Sequence, residues 1–235
     1  MLSLLIATRN AHKVGEIRAI LGEPFSYVTL NDFPHAPEVI EDAGTFVGNA
    51  AKKAVVLAKW LAETQRRAPG SELYVLADDS GLEVDALNGA PGVHSARFAA
   101  LDTGQPGNSP TADNNAKLLR LLAGVAPEKR TARFRCLLAL TPVLCPAPGT
   151  ASPVCHVDEA ELRAELFEGA CEGRISLAPR GQGGFGYDPL FIPEGHEATF
   201  GELGEEVKNG MSHRARALLK LKQRLDSTTG KEPGD

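Results

Sequence analysis

The first third of the chain alternates short apolar runs with amphipathic stretches, and few folds accept that alternation. Leu4 to Ala7 is an apolar run that predicts a buried strand, and Val14, Ile17 and Leu21 then recur at helical spacing, which predicts a helix from about Asn10 to Leu21. Tyr27 to Leu30 predicts a second strand. Phe46, Ala50, Leu57, Ala58 and Leu61 form one apolar stripe, so a long helix is expected over about Thr45 to Arg66, ended by Ala68-Pro69-Gly70. A third apolar run, Leu73 to Ala77, follows. Strand, helix, strand, helix, strand argues for an α/β fold with a largely parallel core in this half.

The second half is richer in loops. A segment of Gly, Pro and Asn from Asp102 to Pro110 precedes a short helix carrying Ala116, Leu119 and Leu122, and Ala132 to Leu140 predicts a strand. Pro146 to Pro153 reads as a connection, and Val154 to Phe167 as an extended hairpin, with some helix as the alternative. Met211 to Leu225 predicts a closing helix with Ala215, Leu218, Leu219 and Leu225 on one face and Ser212 as its N-cap. One two-lobed body around a central cleft, residues 1–225, with a polar tail over 226–235, fits this pattern better than two independent domains. A hydrophobic fraction of 43% suits such a core, and a net charge of −5 argues against a nucleic-acid polymer as partner. The four cysteines show no Cys-x-x-Cys spacing, so free thiols are expected; no stretch approaches a membrane span, and the start lacks a basic leader, which together predict a cytoplasmic protein.

The third apolar run meets two acids, Asp78 and Asp79, followed by Ser80 and Gly81. A strand ending there would set two carboxylates at its carboxyl edge, where ligands gather in open α/β sheets. Adjacent carboxylates repel, and a cation, a proton or water makes them tolerable. A polar turn with an Asx hydrogen bond is the alternative. Thr8, Arg9, Asn10, Ala11, His12 and Lys13 join the first strand to the first helix, at a helix N-terminus that favours an anion. Glu41 precedes the second helix, where Asn49 and Lys53 share a face, and Glu41 could join Asp79 in holding a hard cation; Lys52 reads as solvated.

Gly181-Gln182-Gly183-Gly184-Phe185-Gly186 matches G-x-G-x-x-G, but Tyr187-Asp188-Pro189 follows, so no helix opens there and a dinucleotide fingerprint is excluded. The loop reads as flexible backbone around Phe185 and Asp188, with the ring either stacked on a planar ligand or plugging the core. Lys208, His213 and Arg214 form a late basic group, the last two at the wrong end of a helix for cations. Phosphate-binding turns, paired acids, an aromatic and a cationic clamp are the parts of a nucleoside triphosphate site, without a P-loop or a kinase signature.

Read in order, IATRNAHKVGEI, TFVGNAAKKA, LADDSGLEVDALNGAPGVHSARFA, DNNAKLL, GGFGYDPLFIP and SHRARAL resemble the inosine triphosphate pyrophosphatase family over Leu5 to Leu219. The resemblance implies an elongated mixed α/β sheet with flanking helices and a homodimer. It implies a Mg²⁺-dependent pyrophosphatase acting on ITP, dITP and XTP. Thr8 to Lys13 would bind phosphates, and Asp79 would be catalytic and a Mg²⁺ ligand, with Glu41 the second. Ser80 would touch the substrate. Phe185, Gly186, Tyr187 and Asp188 would form the base pocket, closed by Lys208, His213 and Arg214. Arg9 in the first turn, Ala43 before the second helix and the length of Cys145 to Val154 depart from the family pattern. A nucleotide-binding regulator, a glycosidase using Asp79 and Asp188, and a pyrophosphatase for other modified nucleotides are the rival readings.

Overall fold

A computed structural model describes residues 2–64, 72–104, 106–144 and 163–228. In chain order the main elements are β1 (Ser3–Ile6), α1 (Ala11–Leu21), β2 (Ser26–Thr29), α2 (Phe46–Thr64), β3 (Leu73–Val84), α3 (Thr111–Leu121), β4 (Thr131–Pro142), β5 (Glu165–Ile175), β6 (Phe191–Pro193), α4 (Phe200–Met211) and α5 (His213–Thr228). The strands form a six-stranded sheet in the order β2-β1-β3-β4-β5-β6. β1 pairs parallel with both β2 and β3, Ser3 lying opposite Ser26 and Leu73, whereas β5 and β6 pair antiparallel. The α/β class and the parallel front half are those the apolar periodicity predicts, and the mixed sheet is what the family resemblance implies.

The chain divides into two compact units, Met1–Asp78 with Leu137–Phe167, and Asp79–Cys136 with Glu168–Asp235. In the first, Leu4, Leu5 and Ile6 of β1, Ile17 and Leu21 of α1, Leu57 and Leu61 of α2 and Val75 and Leu76 of β3 are fully buried. The 3.6-residue spacing of α1 and α2 therefore does what the pattern requires and lays one stripe on the sheet. In the second, Leu82, Val84, Phe98, Leu118, Phe134, Phe191 and Phe200 form one cluster. Phe191 stands with ring centroids 4.6 Å from Phe134 and 5.4 Å from Phe200.

Two expectations are corrected and one is met. β3 does not stop at Ala77 but runs through both acids to Val84, because Leu82 and Val84 are also fully buried and continue the strand's apolar demand beyond them. The closing helix is met as α5, within two or three residues of the expected Met211 to Leu225, and Ser212 is its N-cap, its Oγ accepting from Ala215 N at 3.2 Å. Leu219 is 56% exposed rather than on the buried face, which Ala215, Leu218, Leu221 and Leu225 supply. α4 was not expected from the sequence, although Thr199 and Glu202 form a capping box at its start; Gly201, Gly204 and Gly210 hide it. The expected helix end at Ala68-Pro69-Gly70, the 146–153 connection and most of the 154–167 hairpin lie outside the described residues. Among the described residues, Cys136 and Cys171 are buried free thiols, and no helix is long and apolar enough to cross a membrane.

Candidate active site

In the first unit the polar groups cluster at the end of β1 and on α2. Asn10 caps α1, and its Oδ1 accepts from His12 N at 2.9 Å and Lys13 N at 3.2 Å. Thr8 Oγ1 accepts from Asn10 N, and Arg9 Nη1 donates to Leu30 O at 3.1 Å. The chain itself thus occupies two of the helix's free amides, and Ala11 merely begins the first turn. Lys13 Nζ reaches away from its own helix and forms an ion pair with Asp78, whose side chain is buried. Lys53 Nζ forms an ion pair with Glu41 and donates to Asp78 O at 3.3 Å. Asn49, one turn before Lys53, accepts from Ala43 N at 3.0 Å and so fixes the segment that carries Glu41. Lys52 pairs with Asp42 at the surface, as a solvated face would.

The acids of β3 are therefore mid-strand groups, with Asp78 2% and Asp79 7% exposed. Burying a carboxylate in a strand requires a partner for its charge, and for Asp78 that partner is Lys13. The Asx-turn alternative is excluded by the continuous strand.

In the second unit Asp79 and Ser80 continue β3, and Arg214 Nη2 donates to Ser80 Oγ at 3.3 Å. Arg214 is 1% exposed in the first turn of α5, and the adjacent His213 ring lies flat on Phe134 at 4.8 Å. The glycine-rich loop supplies the rest. Asp188 Oδ2 accepts from Phe185 N at 2.7 Å and from Lys208 Nζ at 2.6 Å. Lys208 Nζ also stands 4.5 Å from the centroid of the Phe185 ring, and the Arg214 guanidinium 5.8 Å from it. Two cations stand against this partly exposed ring, so Phe185 is not a fully buried core plug. Tyr187 is buried, its hydroxyl donates to Ser95 O at 2.9 Å, and burial holds its pKa well above the ordinary phenol value.

Gly184 and Gly186 have positive φ of 73° and 61°. A Cβ on Gly184 would stand 2.2 Å from Asp188 Oδ2, so only glycine lets the turn close over that carboxylate. No helix opens at this loop, in agreement with the rejected dinucleotide reading. Asp188, locked between an amide and an ammonium, is a poor second carboxyl for a glycosidase. Sequence reasoning missed Asn115, whose Nδ2 donates to Gly186 O at 3.2 Å. Its only sequence signal is a polar pair, Asn114-Asn115, on an otherwise amphipathic helix.

A family model, the Ham1 family, matches residues 4–224. The chain belongs to the Ham1 family. It is 46% identical over 226 residues to a dITP/XTP pyrophosphatase of Geobacter sulfurreducens, covering 96% of this chain and 97% of that one. To the dITP/XTP pyrophosphatase of Shouchella clausii it is 42% identical over 227 residues, covering 96% and 98%. Among solved structures, a HAM1 protein from Coxiella burnetii superposes with a TM-score of 0.73 at 34% identity, over 97% of this chain and all of that one. The Staphylococcus aureus Ham1 protein gives 0.74 at 29% identity, over 96% and 99%.

Proposed function

We infer that this Ham1-family chain hydrolyses non-standard purine nucleoside triphosphates, dITP and XTP among them and ITP by the same chemistry, and so cleanses the nucleotide pool. The relatives named dITP/XTP pyrophosphatase, aligned over nearly their full lengths, support the reaction. The observation that carries the residue assignment is the cationic group on Phe185, with Lys208 and Arg214 against one ring and Asp188 locking the loop. The reaction is NTP plus water giving NMP and pyrophosphate. Water attacks the α-phosphorus and the bond to the β-phosphate's bridging oxygen breaks.

Lys13 and Lys53, with the Thr8–His12 turn, are assigned to the phosphates and the departing pyrophosphate. Phe185 is assigned to stack on the base, with Gly186, Tyr187, Asp188, Lys208, His213 and Arg214 around it and Ser80 against the substrate. Among the described residues no group of three or more His, Cys, Asp and Glu stands together. A site of one or two carboxylates completed by substrate phosphates suits Mg²⁺ in particular, and Glu41 and Asp79 supply hard oxygen donors of that kind. The cation, when bound, neutralises charge on the triphosphate. Asp79 is the catalytic residue that orients the attacking water. Asp78, already held by Lys13, is the poorer choice.

A 6-oxo group accepts from Lys208 or Arg214, whereas a 6-amino group leaves a buried donor facing a donor, which costs on the order of 1–3 kcal/mol. A cytoplasmic homodimer completes the proposal, and light scattering tests the dimer. The central test is a panel of dITP, XTP, dGTP and ATP with and without Mg²⁺. Pyrophosphate release from dITP and XTP only with the metal is expected, and Asp79→Asn is expected to lose at least about a hundredfold in turnover. ATP cleaved as fast as dITP, or full activity in Asp79→Asn, would overturn the assignment.

A further inference from the structure

We propose that Asn115 is a positioning residue for base selection, holding the Gly186–Tyr187 peptide of the glycine-rich loop in one orientation. This rests on Phe185 to Asp188 being the base pocket. Asn115 is 8% exposed on α3, and its Nδ2 donates to Gly186 O at 3.2 Å. Its Oδ1 is buried and has no hydrogen-bond partner among the described residues. A buried amide oxygen without a partner is costly. The amide nevertheless keeps this orientation, since a flip would set its oxygen against the Gly186 carbonyl. The single bond to Gly186 is thus what the side chain is placed to make.

The anchor behind it is firm. The neighbouring Asn114 accepts from Ala99 N at 2.8 Å and donates to Ala96 O at 3.2 Å, and Lys117 donates to Phe98 O at 2.7 Å. These bonds tie α3 to the 3₁₀ turn Gly92–Arg97 and the residues that follow it. Tyr187 is tied to Ser95 of the same turn through its hydroxyl. The loop is therefore fixed at two consecutive residues, one by backbone and one by side chain.

The conformational consequence follows from peptide geometry. The peptide bonds of the loop are trans, so the Gly186 carbonyl and the Tyr187 N–H point in opposite directions. Fixing the carbonyl on Asn115 fixes that N–H on the other side. Gly186, with φ of 61°, has no Cβ to resist rotation of the plane. Without Asn115 the peptide between the stacking ring and Asp188 can turn, and the polar edge presented to a base changes.

The test compares kcat and KM of Asn115→Asp and Asn115→Ala on dITP and dATP, with Asn114→Ala as a neighbour that anchors α3 but does not touch the loop. Asn115→Asp keeps the shape and removes the donor. For both Asn115 variants, KM for dITP is expected to rise about tenfold with kcat within about twofold, and the dITP-over-dATP ratio of kcat/KM to fall at least about fivefold. That ratio, taken on one preparation, does not depend on the fraction folded. Asn114→Ala is expected to lower the melting temperature and keep the ratio. An unchanged ratio in both Asn115 variants overturns the proposal. Phe185→Ala separates it from the pocket reading: if that variant also leaves the ratio unchanged, the pocket itself is misassigned; if it collapses the ratio while the Asn115 variants do not, Asn115 alone is.

Discussion

Asp188 answers to two partners at once, the Phe185 amide and the Lys208 ammonium, and its side chain and that of Lys208 are both buried. Replacing it by Asn leaves a buried lysine without its counter-charge, and breaking such a pair costs about 3–5 kcal/mol. Asp188→Asn is therefore expected to unfold at markedly lower urea, and an unchanged midpoint would contradict the buried pair. Residues of this kind were legible in the sequence because their chemistry is out of place: an acid and an aromatic in a glycine-rich loop, cations at the start of a helix. Asn115 was not legible as a partner of the loop, because its bond runs to a backbone carbonyl 71 residues away and no side-chain pattern encodes that. The partners of Asp78 and Glu41 were likewise hidden, since a lysine near the start of a helix reads as phosphate ligand or solvated face until the acid it touches is known.

At the scale of elements, α5 depends on two small features. Ser212 caps it, and Ser212→Ala is expected to cost about 1 kcal/mol by denaturant titration, as N-cap losses do. Gly169 of β5 lies backbone to backbone against the same turn, where a Cβ would stand 2.1 Å from His213 O and 2.6 Å from Ala217 N. Gly169→Ala is expected to destabilise by about 1–3 kcal/mol, as overpacking does, and to lower activity beyond the loss of folded enzyme because the turn carries His213 and Arg214. A stable, fully active Gly169→Ala would remove that contact from the account. α1, α2, β1 and β2 were read within a few residues because a 3.6-residue stripe and short apolar runs are strong local signals. β3 was cut short because charge usually ends a strand, and here a lysine from α1 supplies a counter-charge to Asp78 inside one. α4 escaped because three glycines weaken its helical signal while its capping box and its burial hold it.

For the whole molecule, several paired carboxyls tie stability to pH. Hydrogen bonds from the Thr131 hydroxyl and Arg133 hold Asp85 below the usual carboxylate range, Lys117 does so for Asp102, and the Thr199 amide for Glu202. A carboxyl with a lower pKa folded than unfolded adds stability above its unfolded value, near 4, and loses it as pH falls through the folded value. These groups are expected to leave the melting temperature unchanged above about pH 5 and, being exposed and screened by solvent, to lower it modestly below about pH 4; a melting temperature that rises between about pH 5 and about pH 3 would contradict the shifts.

Finally, the lysines assigned to phosphate, Lys13 and Lys53, rest on Asp78 and Glu41. A free cation competes with an ammonium for the charge of Glu41 or Asp78, and a free anion competes with a carboxylate for Lys13 or Lys53. Only cargo carrying both signs lets every group trade one partner for another. The resting enzyme should accordingly be a weak chelator and a weak trap for orthophosphate, ignoring the abundant small ions around it. Titration calorimetry should find Mg²⁺ and a non-hydrolysable triphosphate each binding at least about tenfold more tightly in the other's presence, a coupling of about 1.4 kcal/mol or more. Independent binding of the two would mean that the trade does not occur.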